Sequence, residues 1–333
     1  MTAPSLPSKR RFLSTGLQAC LAAAALSCTS MAAWAADPYP SQPIKMVIPF
    51  PPGGTLDTVG RALAQRLGEQ MGQPVVVENR PGGNATIGPS MVARSPGDGY
   101  TLLFNASTFL SGPMISNAVT YRIERDFQPI SLVAMAPLSV AVNKNLPFND
   151  IKGLIGYAKA NPGKMTFAVG SIASAGHLST EQLKQSGKLD AMIVPYKGTA
   201  PAFQDLIGGQ IDAFIDPVLG SLQYHQGGLL KVIATTAKNR LAVLPDVPTV
   251  GETIPGFEFY SWYGLWALAG TPAAIVNRLN KEVSIAQQSE ALTKFSAQGL
   301  IVEPHSVDDF RKFQKQETDK YQKIVTDAKI QLL

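Results

Sequence analysis

Three stretches of this chain put small residues and hydroxyls directly between an apolar strand and a helix start. They are Pro51-Pro52-Gly53-Gly54-Thr55, Ser171-Ile172-Ala173-Ser174-Ala175-Gly176-His177 and Tyr196-Lys197-Gly198-Thr199. The chemistry open to such stretches is anion binding. The first N–H groups of a helix have no partner within the helix, and its dipole adds positive potential at that end. Glycine leaves those N–H groups uncovered, while Ser or Thr caps the helix or offers a further donor. A carboxylate is the simplest guest. Thr55 and Thr199 read as the caps of their helices.

The side chains that catalysis would need do not assemble around these stretches. No Gly-x-Ser-x-Gly elbow, Gly-Lys-Ser/Thr phosphate loop or Gly-x-Gly-x-x-Gly motif occurs. His177, His225 and His305 are far apart and lack metal-ligand spacing. A serine esterase built on Ser171 or Ser174 with His177 would need an orienting acid, and Glu181 on the same helix is the one at hand. No enzyme activity, cofactor or metal is therefore expected.

The elements that must position these stretches alternate. Apolar strands at 44–48, 74–79 and 100–104 alternate with helices, the first carrying Val59, Leu63, Leu67 and Met71 at helical spacing. Strand–helix–strand with short links predicts an open parallel sheet, with ligands beyond the carboxyl ends of its strands. Asn105, Ser107 and Thr108 would lie at that same end. Strands at 130–135 and 138–143, broken at Pro137, lead into a second alternating block: helix 151–160, strand 165–169, helix 178–185, strand 192–195, helix to 207 and strand 211–215. Asp216-Pro217 then reads as a turn. A strand over 230–235, an aromatic strand over 259–268, a helix over 273–287 and a charged helix over 307–329 complete the chain.

The start of the chain reads as a targeting segment over 1–35. Lys9-Arg10-Arg11 precedes an apolar run over 17–26, and Ala33-Trp34-Ala35 fits a cleavage site. Ser8 to Leu13 is similar to a twin-arginine export signal, and Ala25-Leu26-Ser27-Cys28 to a weak lipoprotein site. Cys20 and Cys28 both fall in this segment, which leaves no thiol for catalysis or disulfides beyond it. Three of the 29 basic residues lie there too, so the remainder carries 26 against 24 acidic residues. That near-balance gives no reason to expect nucleic acid or a membrane surface as partner.

With these residues laid out, the chain resembles the extracytoplasmic solute-binding proteins of the tripartite tricarboxylate transporter family, the Bug or TctC-like receptors. The resemblance rests on 47–57 (Val-Ile-Pro-Phe-Pro-Pro-Gly-Gly-Thr-Leu-Asp), 73–82 (Gln-Pro-Val-Val-Val-Glu-Asn-Arg-Pro-Gly) and Asp98-Gly99-Tyr100-Thr101-Leu102-Leu103. Gly176-His177-Leu178, Pro195-Tyr196-Lys197-Gly198, Pro245-Asp246-Val247-Pro248-Thr249 and Trp262-Tyr263-Gly264-Leu265 follow in the same order. It implies an α/β, two-domain periplasmic binding protein type II fold, each domain an open mostly parallel sheet flanked by helices, with two crossing strands as hinge. Domain I would span 36–134 and 263–333, and domain II 135–262. It further implies a monomer in the periplasm that binds a small organic carboxylate and works with inner-membrane permease subunits or, alternatively, a sensor kinase.

Carried over by position, the ligand residues would be Gly53, Gly54, Thr55 and Asp57 from the first domain, with Asn105, Ser107 and Thr108 as walls. The second domain would supply Ser171, Ser174, Ala175, His177, Tyr196, Gly198, Thr199 and Asp216. Asp57, at the second helical position, serves its helix dipole equally well without a ligand. His177 is open to a structural role, and Asp216 to a turn or to meeting a ligand ammonium. Tyr260, Trp262, Tyr263 and Trp266 read first as core.

Overall fold

A computed structural model describes residues 1–3, 39–117 and 119–330. The cleavage site expected at Ala35, the export signature over 8–13 and Cys28 lie outside the described residues. The fold that follows is that of Gln42–Leu333, a unit distinct from Met1–Ser41.

Strand β1 (Ile44–Ile48) is buried at four of five positions, as an inner strand of a parallel sheet should be. It pairs in parallel with β2 (Val75–Asn79) on one side and β3 (Thr101–Ala106) on the other. Helix α1 (Thr55–Met71) returns the chain from β1 to β2 with Val59, Leu63 and Leu67 buried. A second parallel trio is formed by β5 (Met165–Val169), β6 (Ala191–Pro195) and β7 (Ala213–Pro217). After the short helices α2 (Ile87–Val92), α3 (Thr108–Ser111) and α4 (Ile123–Asp126) and the helix α5 (Ile151–Ala160), its crossovers are α6 (Ala175–Gly187) and α7 (Thr199–Gly208).

Strands β4 (Phe127–Asn143) and β9 (Tyr260–Leu268) join the two trios into one order, β2-β1-β3-β9-β4-β7-β5-β6, with β8 (Leu230–Thr235) also on β4. The expected break at Pro137 does not occur: β4 is one strand of 17 residues. Its first part pairs with β9 as far as Pro137–Tyr260, and from Leu138 onward it pairs with β7 and β8. Proline, having no N–H, therefore falls where the strand changes partners and costs the ladder little. The next amide, Leu138 N–H, goes to Thr236 Oγ1 at 2.9 Å.

Trp262 and Trp266 of β9 are core, as expected, while Tyr260 is only part-buried. Trp262 Nε1 donates to Tyr321 Oη at 2.9 Å and Trp266 Nε1 to Gln314 at 2.9 Å. Both partners lie on the last helix, Val307–Asp327, whose Phe310 packs against both indoles. Two longer elements were not read from the sequence. Helix α8 (Val218–Gln226) follows Asp216-Pro217 directly, so a turn former becomes the start of a helix. Residues Glu290–Ser296 form the other. Among the described residues no helix is long and apolar enough to cross a membrane.

Candidate functional site

The three small-residue stretches meet at one cavity of about 130 Å³ between the two halves of the sheet. At roughly 10–15 Å³ per water, that space suits a guest of about ten non-hydrogen atoms.

From the first half comes the turn between β1 and α1. Gly54, not Thr55, is the N-cap, with extended φ −80° and ψ 169°, and no side chain caps the helix. The Gly54 carbonyl accepts from Thr58 N–H at 3.0 Å, so Thr55 is already the first helical residue. The Thr55 hydroxyl is thereby released from capping and lines the cavity beside Gly54. Gly53, at φ +92°, does not line it: its N–H is spent on Asp57 Oδ2 at 3.0 Å.

Asp57 consequently stands third in the helix, not second. Its carboxylate also accepts from Arg61 Nε at 2.9 Å and Asn79 Nδ2 at 2.8 Å. Burial alone would raise its pKa, but the bonds from Arg61, Asn79 and Gly53 outweigh that and hold it below the ordinary aspartate value. Asp57 borders the cavity, yet its contacts make it the clasp that fixes the Gly53 corner.

The second half supplies two helix starts. Ser174 caps α6, accepting from His177 N–H at 3.2 Å. Gly176 passes so close to β7 that a Cβ there would lie 2.2 Å from the Ile215 carbonyl oxygen, which explains the Ala-Gly pair opening the helix. His177 does not face the cavity. Its Nδ1 accepts from Ala173 N–H at 2.9 Å and pins Ala173 at φ +59°. Burial, with Lys184 nearby, lowers the imidazole to about 4, so it is neutral at ordinary pH.

Gly198, at φ +107°, precedes α7, and Thr199 is again the first helical residue, its side chain uncommitted to a cap. Both line the cavity, and a Cβ on Gly54 would lie 3.6 Å from Thr199 Oγ1, so the two helix starts nearly touch there. Tyr196 turns away to give its hydroxyl to Asp205 at 2.6 Å. Asn105 and Ser107 are buried behind the wall, Asn105 Oδ1 accepting from Ala106 N–H at 2.8 Å. Of that trio, only Thr108 reaches the cavity.

Ser171, Ser174, Ala175 and Asp216 line the cavity as expected, and Ser261 and Tyr263 of β9 were missed there. Strand alternation marks Tyr263 as buried but does not tell core from cavity floor. Asn84 was also missed. Its Nδ2 donates to the Ile172 carbonyl at 2.8 Å and its Oδ1 accepts from Ser171 Oγ at 2.5 Å. With Ser111 Oγ donating to the Ala173 carbonyl at 2.6 Å, these bonds tie the two halves together beside the cavity. The signal was present only as a Gly82-Gly83-Asn84 turn.

The family model described as "Tripartite tricarboxylate transporter family receptor" matches residues 59–330. The chain belongs to this family. It is 36% identical over 299 residues to Protein BugT of Bordetella pertussis, covering 88% of this chain and 91% of that one. Among solved structures it is similar to R. palustris Rpa4515 with adipate, at TM-score 0.85 and 32% identity, over 89% of this chain and all of that one. MatC from Rhodopseudomonas palustris with bound malate gives TM-score 0.81 and 29% identity, over 86% and 100%. The fold is thus the two-domain periplasmic binding protein fold, and the family is one of receptors, not enzymes.

Proposed function

We propose that this protein is an exported, monomeric periplasmic receptor that captures a small organic mono- or dicarboxylate and hands it to an inner-membrane permease. The observation that carries this reading is the convergence of three helix starts on one cavity. Those of α1, α6 and α7 reach it from both halves of the sheet, with Gly54, Thr55, Ala175, Gly176, Gly198 and Thr199 in its wall. Each neutral hydrogen bond to the guest contributes about 1 kcal/mol net, and each charge-assisted one about 1.5–3 kcal/mol. The adipate and malate in the two solved relatives support the same guest class. Residues 36–134 with 263–333 form one lobe and 135–262 the other, and β4 and β9 are the strands about which they close.

A thermal-shift screen of residues 36–333 against carboxylates, sugars and amines tests this. A carboxylate at about a hundred times its Kd stabilises by about 2.7 kcal/mol. Stabilisation by sugars or amines alone refutes the reading.

A further inference from the structure

Besides the helix starts, the cavity lining carries a carboxyl group that nothing so far employs. Asp216, next to last in β7, has only 7% of its surface exposed and lines the cavity. Among the described residues, no cation and no hydrogen-bond donor is found at its carboxyl group. From α8, Gly220 packs its backbone against Oδ2, bringing no charge. Lys197 borders the cavity from an exposed loop, and Asp57 is already taken by Gly53, Arg61 and Asn79.

From β9, Tyr263 is the titratable neighbour that faces Asp216. Its hydroxyl is buried, turned toward Thr55 and Ser261, and completes no hydrogen bond with either. A buried carboxyl without a cation keeps its proton, and burial pushes Asp216 well above the ordinary aspartate value. In that form it is an O–H donor and no longer an acceptor alone. The lining therefore offers two hydroxyl protons in addition to the amide donors of the helix starts.

We infer that Asp216 and Tyr263 form a second anion seat, in which the Asp216 acid proton and the Tyr263 hydroxyl are donated to the second carboxylate of a dicarboxylate guest. This rests on the carboxylate-receptor reading and makes the guest dianionic. Two carboxyl groups at hydrogen-bond distance cannot both be ionised cheaply, so they share one proton. Once Asp216 ionises it repels the guest, so capture weakens as pH rises.

Isothermal titration of wild type, Asp216→Asn and Tyr263→Phe with malate and adipate, with butyrate and hexanoate, and with aspartate tests the seat. Wild type is expected to lose dicarboxylate affinity by up to about tenfold per pH unit above the Asp216 pKa. Asp216→Asn, whose amide N–H replaces the acid O–H, keeps that affinity within about threefold and loses the pH dependence. Tyr263→Phe weakens malate and adipate about tenfold and leaves the monocarboxylates unchanged. Loss of aspartate binding in Asp216→Asn, with aspartate the preferred wild-type guest, overturns the seat in favour of an ammonium site. A flat wild-type pH profile, or equal effects on mono- and dicarboxylates, overturns it and leaves the receptor reading standing. If no carboxylate binds wild type, both fall.

Discussion

Gly54→Asp separates folding from binding, because the two should move in opposite directions. Gly54 is an N-cap with extended backbone, where aspartate is a better cap than glycine by a few tenths of a kcal/mol. A Cβ there meets only Thr199 Oγ1, at 3.6 Å, an ordinary contact. The melting temperature should therefore hold or rise. The new carboxylate, however, takes the helix N–H groups meant for the guest and faces the guest's own charge. At about 5 Å and an effective dielectric constant near 20, that repulsion is about 3 kcal/mol, or roughly 150-fold in Kd. Titration calorimetry with the best carboxylate from the screen, paired with thermal melts, reads both quantities. Gly54→Asn, with the same shape and no charge, should lose no more than about tenfold. A folded Gly54→Asp protein that binds within about threefold of wild type would refute the reasoning.

Three further predictions concern the parts that hold the cavity in shape. Asn84→Ala removes the bonds to Ser171 and Ile172 across the halves, and should weaken ligand affinity by about 1–3 kcal/mol while small-angle scattering reports a more open average. His177 has its folded pKa near 4, below its unfolded value, so the folded state disfavours the proton. Stability is then full above about pH 6.5 and falls by up to about 3 kcal/mol as pH drops toward about 4; His177→Gln should flatten that slope in denaturant titrations. Gly176→Ala drives a methyl into the Ile215 carbonyl and should cost about 1–3 kcal/mol, a loss that urea melts would detect.

Much of this was legible in the residues themselves. Periodicity gave β1, α1 and the helix Ala273–Gln287 with their proper ends or nearly so, because their apolar spacing is unambiguous. The helix starts at Gly54, Ser174 and Gly198 were visible because glycine and hydroxyl residues are favoured as N-caps. What failed were matters of one residue or of long range. Whether Gly54 or Thr55 caps α1 depends on a backbone angle that both residues can supply. His177 and Asp57 could not be parted from ligand roles, since their partners, Ala173 N–H and Gly53 N–H, are themselves set by the folded loops. Pro137 suggested a break because nothing local tells that β4 changes partners there. The cavity face of Tyr263 and the bridge from Asn84 join segments distant in sequence, which no local pattern encodes.

The most direct measurement is a crystal structure of residues 36–333 with a bound dicarboxylate. The expected result is one carboxylate between the N–H groups that open α1, α6 and α7, within hydrogen-bond reach of the Gly54–Thr55 corner and of Thr199. A guest lodged away from that corner, or held by side-chain cations in place of the helix amides, would contradict it.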